Sequence, residues 1–259
     1  MLPEKFFIQI SDTHLFEDPQ ARLWDVAPDP MLDRALHALG EIVQRAAFVL
    51  VTGDCSADGS PASYRRLAQK LSALNVPVHY MPGNHDDAAT MSRVLLARDL
   101  KAGEKLSQTF EACGWRFILL DSSIRGQESG GLGASQRAWL RESLAAAKGV
   151  PTIVCVHHNP LPVGSAWLDP MMIADADGLL EILDASPHVR AVLFGHVHQV
   201  FEEQRDGTHY LSAPSTFFQF KPNSQDFERD DRQPGVRLIG LDAQAMTTTV
   251  WRLGERLRT

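Results

Sequence analysis

The feature that most constrains this sequence is a series of short apolar runs that each end in an Asp, His or Asn residue. FVLVTG leads into Asp54, HYMPG into Asn84, and AVLFG into His196. Several runs are continuously apolar, which is typical of strands buried on both faces of a sheet. In an open α/β sheet the carboxyl ends of parallel strands meet at one edge, where such folds build their sites. The sequence therefore predicts a cluster of polar side chains at one sheet edge.

Strand and helix patterns alternate through the first two thirds of the chain. Apolar runs cover residues 5–11, 48–54, 76–83, 116–121, 152–158 and 189–196, and helical patterns cover 30–46, 60–74, 135–147 and 175–186. This repetition implies parallel pairing with right-handed crossovers. After residue 198 the pattern changes to short strands with turn signals. The sequence contains no linker or repeat, so it predicts one domain over residues 1–259.

Net charge and composition limit the kinds of molecule and the cellular compartment that we expect for this protein. The chain has a net charge of -7, which argues against extended nucleic acid. No apolar stretch approaches the ~20 residues that a membrane helix needs, and the N-terminal segment does not resemble a signal peptide. The three cysteines lack CxxC spacing, which favours reduced thiols. We therefore expect a cytoplasmic protein with no membrane partner.

The residues at the strand ends are of the types that bind metals in proteins. They are Asp12, His14, Asp54, Asn84, His157, His196 and His198. Singly, each has another explanation, such as a helix cap, a turn former or a core histidine, but together these explanations require five coincidences. Their oxygen and nitrogen atoms suit hard to borderline cations. Two cations ~3.5–4 Å apart form a clamp for attack on phosphorus and need a shared carboxylate, for which Asp54 is the candidate.

The motifs DTH, GD, GNHD, HH and GHVH, in this order between residues 12 and 198, resemble the signature of the calcineurin-like metallophosphoesterases. The resemblance implies an α/β (α+β) fold, a four-layer αββα sandwich of two mixed β-sheets flanked by helices. It also implies two metal ions per chain, Fe and/or Mn, with Zn or Co as alternatives. One ion would be bound by Asp12, His14, Asp54 and His198, and the other by Asp54, Asn84, His157 and His196.

The same resemblance assigns residues to the substrate. His85 would be the catalytic residue that contacts the phosphate and assists the leaving oxygen rather than binding metal. The substrate-binding set would be His14, Asp54, Asn84, His85 and His198. For His158 two roles stay open, support of the site and structure alone. Asp86 and Asp87 are expected at a helix N-terminus.

Three further segments are similar to the class III group of bacterial 3′,5′-cyclic AMP phosphodiesterases: 158–170, 213–222 and 233–241. This similarity implies hydrolysis of 3′,5′-cyclic AMP to 5′-AMP by attack of a metal-bound hydroxide, with a small cyclic nucleotide as partner. Two alternatives stay open, a broad-specificity or glycerophosphodiester-type linear phosphodiesterase and a non-catalytic binding scaffold. The oligomeric state is also open, with a homodimer as one alternative.

Aromatic residues in these and neighbouring loops are candidates for stacking on the base. They are Trp24, Trp167 and one of Phe217 and Phe218. Only one of the two phenylalanines is expected to face the site, because successive side chains of a strand point to opposite faces.

Overall fold

The computed structural model of the chain describes residues 4–243 and 245–255. Its strands are β1 (Phe6–Ile10), β2 (Val49–Thr52), β3 (Val78–Met81), β4 (Gln108–Ala112), β5 (Trp115–Leu120), β6 (Thr152–Val156), β7 (Val189–Phe194), β8 (Glu202–Arg205), β9 (Thr208–Ser212), β10 (Gln219–Phe220), β11 (Arg229–Asp230), β12 (Gly235–Leu241) and β13 (Met246–Arg252). Its α-helices are α1 (Pro28–Leu39), α2 (Pro61–Ser72), α3 (Ala88–Leu95), α4 (Gly133–Ala146) and α5 (Ala176–Asp184).

The strands form two large mixed sheets. The first has the order β13–β12–β1–β2–β3, and the second has the order β4–β5–β6–β7–β9–β8. Pairing is parallel within β1–β2–β3 and within β5–β6–β7–β9, and antiparallel at the flanking strands. Strands β10 and β11 form a separate two-stranded ribbon. Apart from β9, which follows β8 without a helix, the parallel strands are those that alternate with helices in the sequence.

Successive side chains of a strand point to opposite faces of its sheet, so one strand contributes side chains to two packing layers. In β1, Phe6, Ile8 and Ile10 pack against α1, α2 and α3, whereas Phe7 packs against the second sheet. In β6, Val154 faces α4 and α5 on the other side of the molecule. Helices therefore cover both outer faces, which confirms the four-layer αββα sandwich.

Aromatic side chains fill the space between the two sheets. Phe7 stacks on Phe48 with ring centroids 4.6 Å apart, and Phe117 of the second sheet meets both rings edge-on at 5.4 and 5.1 Å. Offset and edge-to-face pairs of this kind are the favoured arrangements of aromatic rings. This packing sets the distance between the sheets, and therefore between residues that follow strands of different sheets.

The structure differs from the predicted elements in three places. The helix predicted over 30–46 ends at Leu39, and a 3₁₀ helix, Gly40–Arg45, follows because Gly40 has a φ of 51°. The extent of helix α3 was not predicted, although a helix was expected to begin at Asp86 and Asp87, because α3 has only eight residues. Strand β4 was not predicted, because it alternates at a half-exposed edge. No described helix is long and apolar enough to cross a membrane. The division into one domain over residues 1–259 stays a prediction.

Candidate metal centre

Loops after five strands bring the predicted site residues to one place between the sheets. Asp12 and His14 follow β1, Asp54 follows β2, Asn84 and His85 follow β3, His157 follows β6, and His196 and His198 follow β7. All of them except Asn84 and His85 are buried. Because β1 to β3 belong to one sheet and β6 and β7 to the other, the cluster needs both sheets.

The backbone of this cluster is unusual. Five of its residues have positive φ angles, namely Asp12 (54°), His14 (46°), Asp54 (47°), His196 (66°) and His198 (44°). Non-glycine residues rarely adopt this region, and each costs roughly 1–3 kcal/mol. Such strain persists only where the surrounding structure imposes it, and it concentrates at functional sites. The conformation turns each side chain away from its strand and toward the cluster.

One group of ligand atoms gathers around His14 and His198. Their Nε2 atoms lie 3.1 Å apart, and Asp12 Oδ1 is 3.4 Å from His198 Nε2. The carboxylate of Asp54 approaches the same point, with Oδ2 3.6 Å from His14 Nε2. Two imidazole nitrogens and two carboxylates directed at one point form a suitable set of ligands for a cation.

A second group gathers around the Asn84 amide oxygen. Asn84 Oδ1 lies 3.2 Å from His157 Nε2 and 3.1 Å from His196 Nδ1. Asp54 Oδ2 lies 3.3 Å from His157 Nε2, so the same oxygen borders both groups. This is the position that a bridging carboxylate requires.

The cluster as a whole fits metal ions. Ligand atoms lie within 4.8 Å of one another in three groups, Asp12–His14–His198, His14–Asp54–His85 and Asp54–His157–His196. The buried Asp12 Oδ2 has no hydrogen-bond partner among the described residues. An unpaired buried carboxylate oxygen is costly, and a bound cation would satisfy it. By distance, His85 could serve either as a ligand or as a phosphate contact.

Backbone carbonyls orient two of the rings. His157 donates from Nδ1 to Thr52 O at 2.8 Å, and His198 donates from Nδ1 to Phe218 O at 3.1 Å. These bonds assign the proton to Nδ1, so the lone pair of Nε2 points into the cluster. Such support of a ligand's second nitrogen is usual at metal sites and fixes the ring.

Burial and neighbouring charges set the protonation of these groups. Burial lowers the pKa of His14 to about 3, which keeps its imidazole neutral. Burial raises the pKa of Asp54, but the nearby His157, His85 and His14 outweigh it and hold that pKa well below its usual range. Burial likewise lowers the pKa of His157, but Asp54 outweighs it and raises that pKa to about 9. Metals bind ionised carboxylates and neutral imidazoles, so a cation bound at His157 would displace the proton that Asp54 stabilises on that ring.

Two glycines allow the loops to approach each other. A Cβ atom on Gly83 would lie 2.2 Å from Asp54 Oδ1, and one on Gly53 would lie 2.2 Å from His157 Nδ1. Any other residue at either position would displace a predicted ligand, so these glycines are needed for close approach.

Comparison with known proteins identifies the family. The profile of the family described as calcineurin-like phosphoesterase matches residues 7–200. The chain belongs to this family. Among relatives of this calcineurin-like phosphoesterase, a 3′,5′-cyclic-nucleotide phosphodiesterase from Nostoc sp. is 36% identical over 93% of this chain and 89% of its own. The 3′,5′-cyclic adenosine monophosphate phosphodiesterase CpdA from Pseudomonas aeruginosa is 37% identical over 90% of this chain and 84% of its own.

A solved structure shares the fold of this phosphoesterase. A dimetal phosphatase from Danio rerio superposes with a TM-score of 0.69 at 16% identity, and the match covers 95% of this chain and 98% of that one. At this identity the likeness concerns the arrangement of sheets and helices alone.

Two residues that the sequence left without a defined role support the site of the phosphoesterase. Asp86 accepts from the backbone N–H groups of Ser56 (2.9 Å) and Gly83 (2.8 Å), and so ties together the loops after β2 and β3. Asp87 caps α3 and Asp86 directly precedes it, so both lie at the helix N-terminus as expected. His158 contacts Ser122 Oγ at 2.7 Å and Glu128 O at 3.1 Å, which makes it a support of the adjoining loop.

Glu128 was missed because it lies outside every motif. Its Oε2 accepts from Asn84 Nδ2 at 3.2 Å, and this bond directs Asn84 Oδ1 toward His157 and His196. The exposed Glu128 is therefore a positioning residue for the amide. Its signal in the sequence is only an acidic residue in a glycine-rich loop, GQESGG.

The expectation for Phe217 and Phe218 is wrong. Phe217 lies 5.9 Å from the ring of His14, and Phe218 lies 5.0 Å from the ring of His198, measured between centroids. Both rings therefore border the cluster. The alternation rule does not apply to them, because they precede β10 in a loop rather than lying in a strand.

We predict that Asp54→Ala weakens the binding of both metal ions, because its carboxylate borders both ligand groups, whereas Asp12→Ala weakens mainly one. Metal content after equilibrium dialysis, about two ions per chain in the unaltered protein, measures this effect. Asp87→Ala, which removes a nearby helix cap but no ligand, is the control and should retain both ions. Full occupancy of both sites in Asp54→Ala would contradict the bridging position.

We also predict that Glu128→Ala lowers the affinity of the site at Asn84 by about 10- to 100-fold, the usual effect of removing a residue that supports a ligand. Glu128→Gln keeps an acceptor oxygen and should restore most of that affinity. Calorimetric titration of the metal-free protein with Mn²⁺ measures both variants. Equal losses in the two variants, or no loss in Glu128→Ala, would show that the amide is held by other contacts.

Proposed function

We propose that the chain is a metal-dependent phosphodiesterase that hydrolyses 3′,5′-cyclic AMP to 5′-AMP. The observation that carries the proposal is the pair of ligand groups that share Asp54, with Asp12, His14 and His198 on one side and Asn84, His157 and His196 on the other. The names of the two relatives, at 36% and 37% identity over most of the chain, support the choice of a cyclic nucleotide.

Two metal ions complete the proposed centre. Fe and/or Mn are the ions we propose, with Zn or Co as alternatives that the same oxygen and nitrogen donors accept. When bound, the ions would place positive charge at the phosphate and lower the pKa of a coordinated water. The protein orients their ligands, and its backbone strain at Asp12, Asp54 and His198 holds that orientation before substrate arrives.

His85 is the proposed catalytic residue. It is exposed, its ring centroid lies 4.9 Å from that of His14, and its backbone N–H donates to Asp54 Oδ1 at 3.0 Å. This bond fixes the backbone of His85, and therefore the origin of its side chain, beside the shared carboxylate of Asp54. The ring is therefore close enough to the proposed phosphate position to donate a proton to the leaving 3′ oxygen, and exposed enough to recover the proton from water.

A cavity of 820 Å³ adjoins His85 and Asn84. Lys105 and Arg125 line it together with six acidic residues, so the side chains give this cavity no excess of positive charge. The phosphate of a cyclic diester is an anion, and the proposed metal ions would supply the charge that attracts it.

We extend the proposal to the cellular location. Cys55, Cys113 and Cys155 are all free thiols, and two of them are buried. Reduced thiols are usual in the cytoplasm, where the proposed nucleotide substrate is expected.

A linear phosphodiester is the second candidate substrate. The metal centre contacts the phosphate only, and the polar cavity beside His85 would also accept an alcohol such as glycerol. A linear and a cyclic phosphodiester would use the same metal centre, and only their contacts with the surrounding loops would differ.

A substrate panel distinguishes these proposals. We expect the Mn²⁺-reconstituted protein to cleave cyclic AMP with a kcat/KM at least as high as that for glycerophosphodiesters, to give 5′-AMP, and to lose activity on chelation. A linear diester preferred by tenfold or more would overturn the cyclic-nucleotide proposal and leave the phosphodiesterase intact. No hydrolysis of any diester would favour the binding scaffold.

We predict that His85→Ala retains its metal ions but loses about 10²- to 10⁴-fold in kcat on cyclic AMP, the usual contribution of a positioned acid or base. The loss should be smaller for bis(p-nitrophenyl) phosphate, because its leaving group needs little protonation. Parallel metal analysis and kinetics measure the two effects. If metal content falls together with activity, His85 is a ligand and the assigned role is wrong.

A further inference from the structure

Trp24 and Phe227 stand out on the surface of the described chain. They are its large apolar side chains with substantial exposure, 47% and 42% respectively. Their ring centroids lie 4.8 Å apart with an angle of 37° between the planes, so the two rings form one splayed pair. Contiguous apolar surface can mark a binding site, and these two rings adjoin each other.

Aromatic rings connect this pair to the metal centre. Phe218 lies 5.0 Å from the ring of His198, and Trp24 meets Phe218 edge-on at 4.9 Å. On the other side, Phe220 stacks on His198 at 4.4 Å, and Phe227 lies 5.7 Å from Phe220. Two successive ring contacts therefore separate the exposed pair from a predicted metal ligand. The pair therefore lies on the His198 side of the predicted metal centre.

The backbone holds Trp24 in its exposed position. Leu23 and Val26 exchange backbone hydrogen bonds of 3.0 and 3.1 Å around a two-residue turn. Both central residues have positive φ, 47° for Trp24 and 64° for Asp25, in a turn that strongly favours Asn-Gly. A tryptophan is unfavourable at this position, and such outliers point to function when the structure enforces them.

Two arginines brace the same turn. Arg229 donates from Nη1 to Trp24 O at 2.9 Å, and Arg22 donates from Nη1 to Asp25 O at 2.9 Å. Arg229 belongs to β11, and Phe227 precedes it in the loop of the β10–β11 ribbon. The two exposed rings are therefore fixed relative to each other by one hydrogen bond between their loops.

We propose that Trp24 and Phe227 form the binding site for the purine base of the nucleotide whose phosphate the metal centre holds. The inference rests on the proposed function and names the residues that select a nucleotide over other diesters. Stacking on aromatic side chains is how proteins bind bases without reading their edges. Two side chains match one base in size and are far smaller than a protein interface. Trp167 has a supporting role, since it packs on Phe220 and Phe227 and donates to Ser224 Oγ at 3.0 Å.

The kinetic test compares cyclic AMP with ribose 3′,5′-cyclic phosphate that lacks the base. We expect Trp24→Ala and Phe227→Ala to raise the KM for cyclic AMP by about 5- to 100-fold. The KM for the abasic substrate should change less than twofold, and Trp24→Phe should restore most of the affinity. Equal losses on both substrates would mean that the turn has only a structural role, and would overturn the proposal.

A substitution in the cavity beside His85 tests whether the base binds there instead. Ile124 is an apolar residue that lines the cavity beside His85. If Ile124→Ala raises the KM for cyclic AMP but not for the abasic substrate, while Trp24→Ala changes neither, the base binds in the cavity and the proposal is wrong.

A binding measurement separates this proposal from the proposed function. We expect 5′-AMP, but not ribose 5-phosphate, to quench the tryptophan fluorescence of the Mn²⁺-loaded protein, and Trp24→Phe to abolish the quenching. Trp139→Phe, on helix α4, is the control and should retain it. Quenching by 5′-AMP without hydrolysis of cyclic AMP would overturn the proposed function and support the base site. Hydrolysis of cyclic AMP without Trp24-dependent quenching would support the proposed function and overturn the base site.

Discussion

The concentration of buried polar groups between the sheets is the constraint on which the rest of the structure depends. Asp12, Asp54 and four histidines lie buried in one cluster. The carboxylates repel each other, and Asp12 Oδ2 is left without a hydrogen bond from the described residues. Such a cluster is unfavourable unless cations neutralise it. The strained backbone at five of its residues adds to this cost, so the sandwich must be stable enough elsewhere to hold the cluster ready for metal.

The packing of the two sheets controls the geometry of that cluster, because each sheet carries only part of it. Hydrogen bonds join the parts directly. His196 donates its backbone N–H to Asp12 Oδ1 at 3.1 Å, and Gln9 of β1 donates to the Phe194 carbonyl at 3.0 Å. The aromatic core of Phe7, Phe48 and Phe117 lies between the same sheets. A change in that core would therefore shift one half of the ligands relative to the other half, without touching any ligand.

Chemistry and selectivity belong to different parts of the molecule. The strand ends carry the proposed metal ligands, which would act on the phosphate of any phosphodiester. The loops differ on the two sides of the centre. Charged residues of both signs line the cavity beside His85, whereas the β10–β11 ribbon and the turn at Trp24 present aromatic rings beside His198. The aromatic base of the proposed nucleotide substrate matches the second of these surroundings.

The sequence by itself determined the sheet edge and its candidate ligands, since a buried strand is readable from its apolar run and the residue that follows it must lie at the strand end. It also indicated the family, because the motifs follow the strands in order. Only the tertiary structure decided which side chains support and extend the centre. Glu128 reaches Asn84 from a loop without a motif. Phe227 pairs with Trp24 across most of the chain, and β12 returns to lie beside β1. These contacts depend on how distant segments pack together, and local periodicity carries no information about that packing.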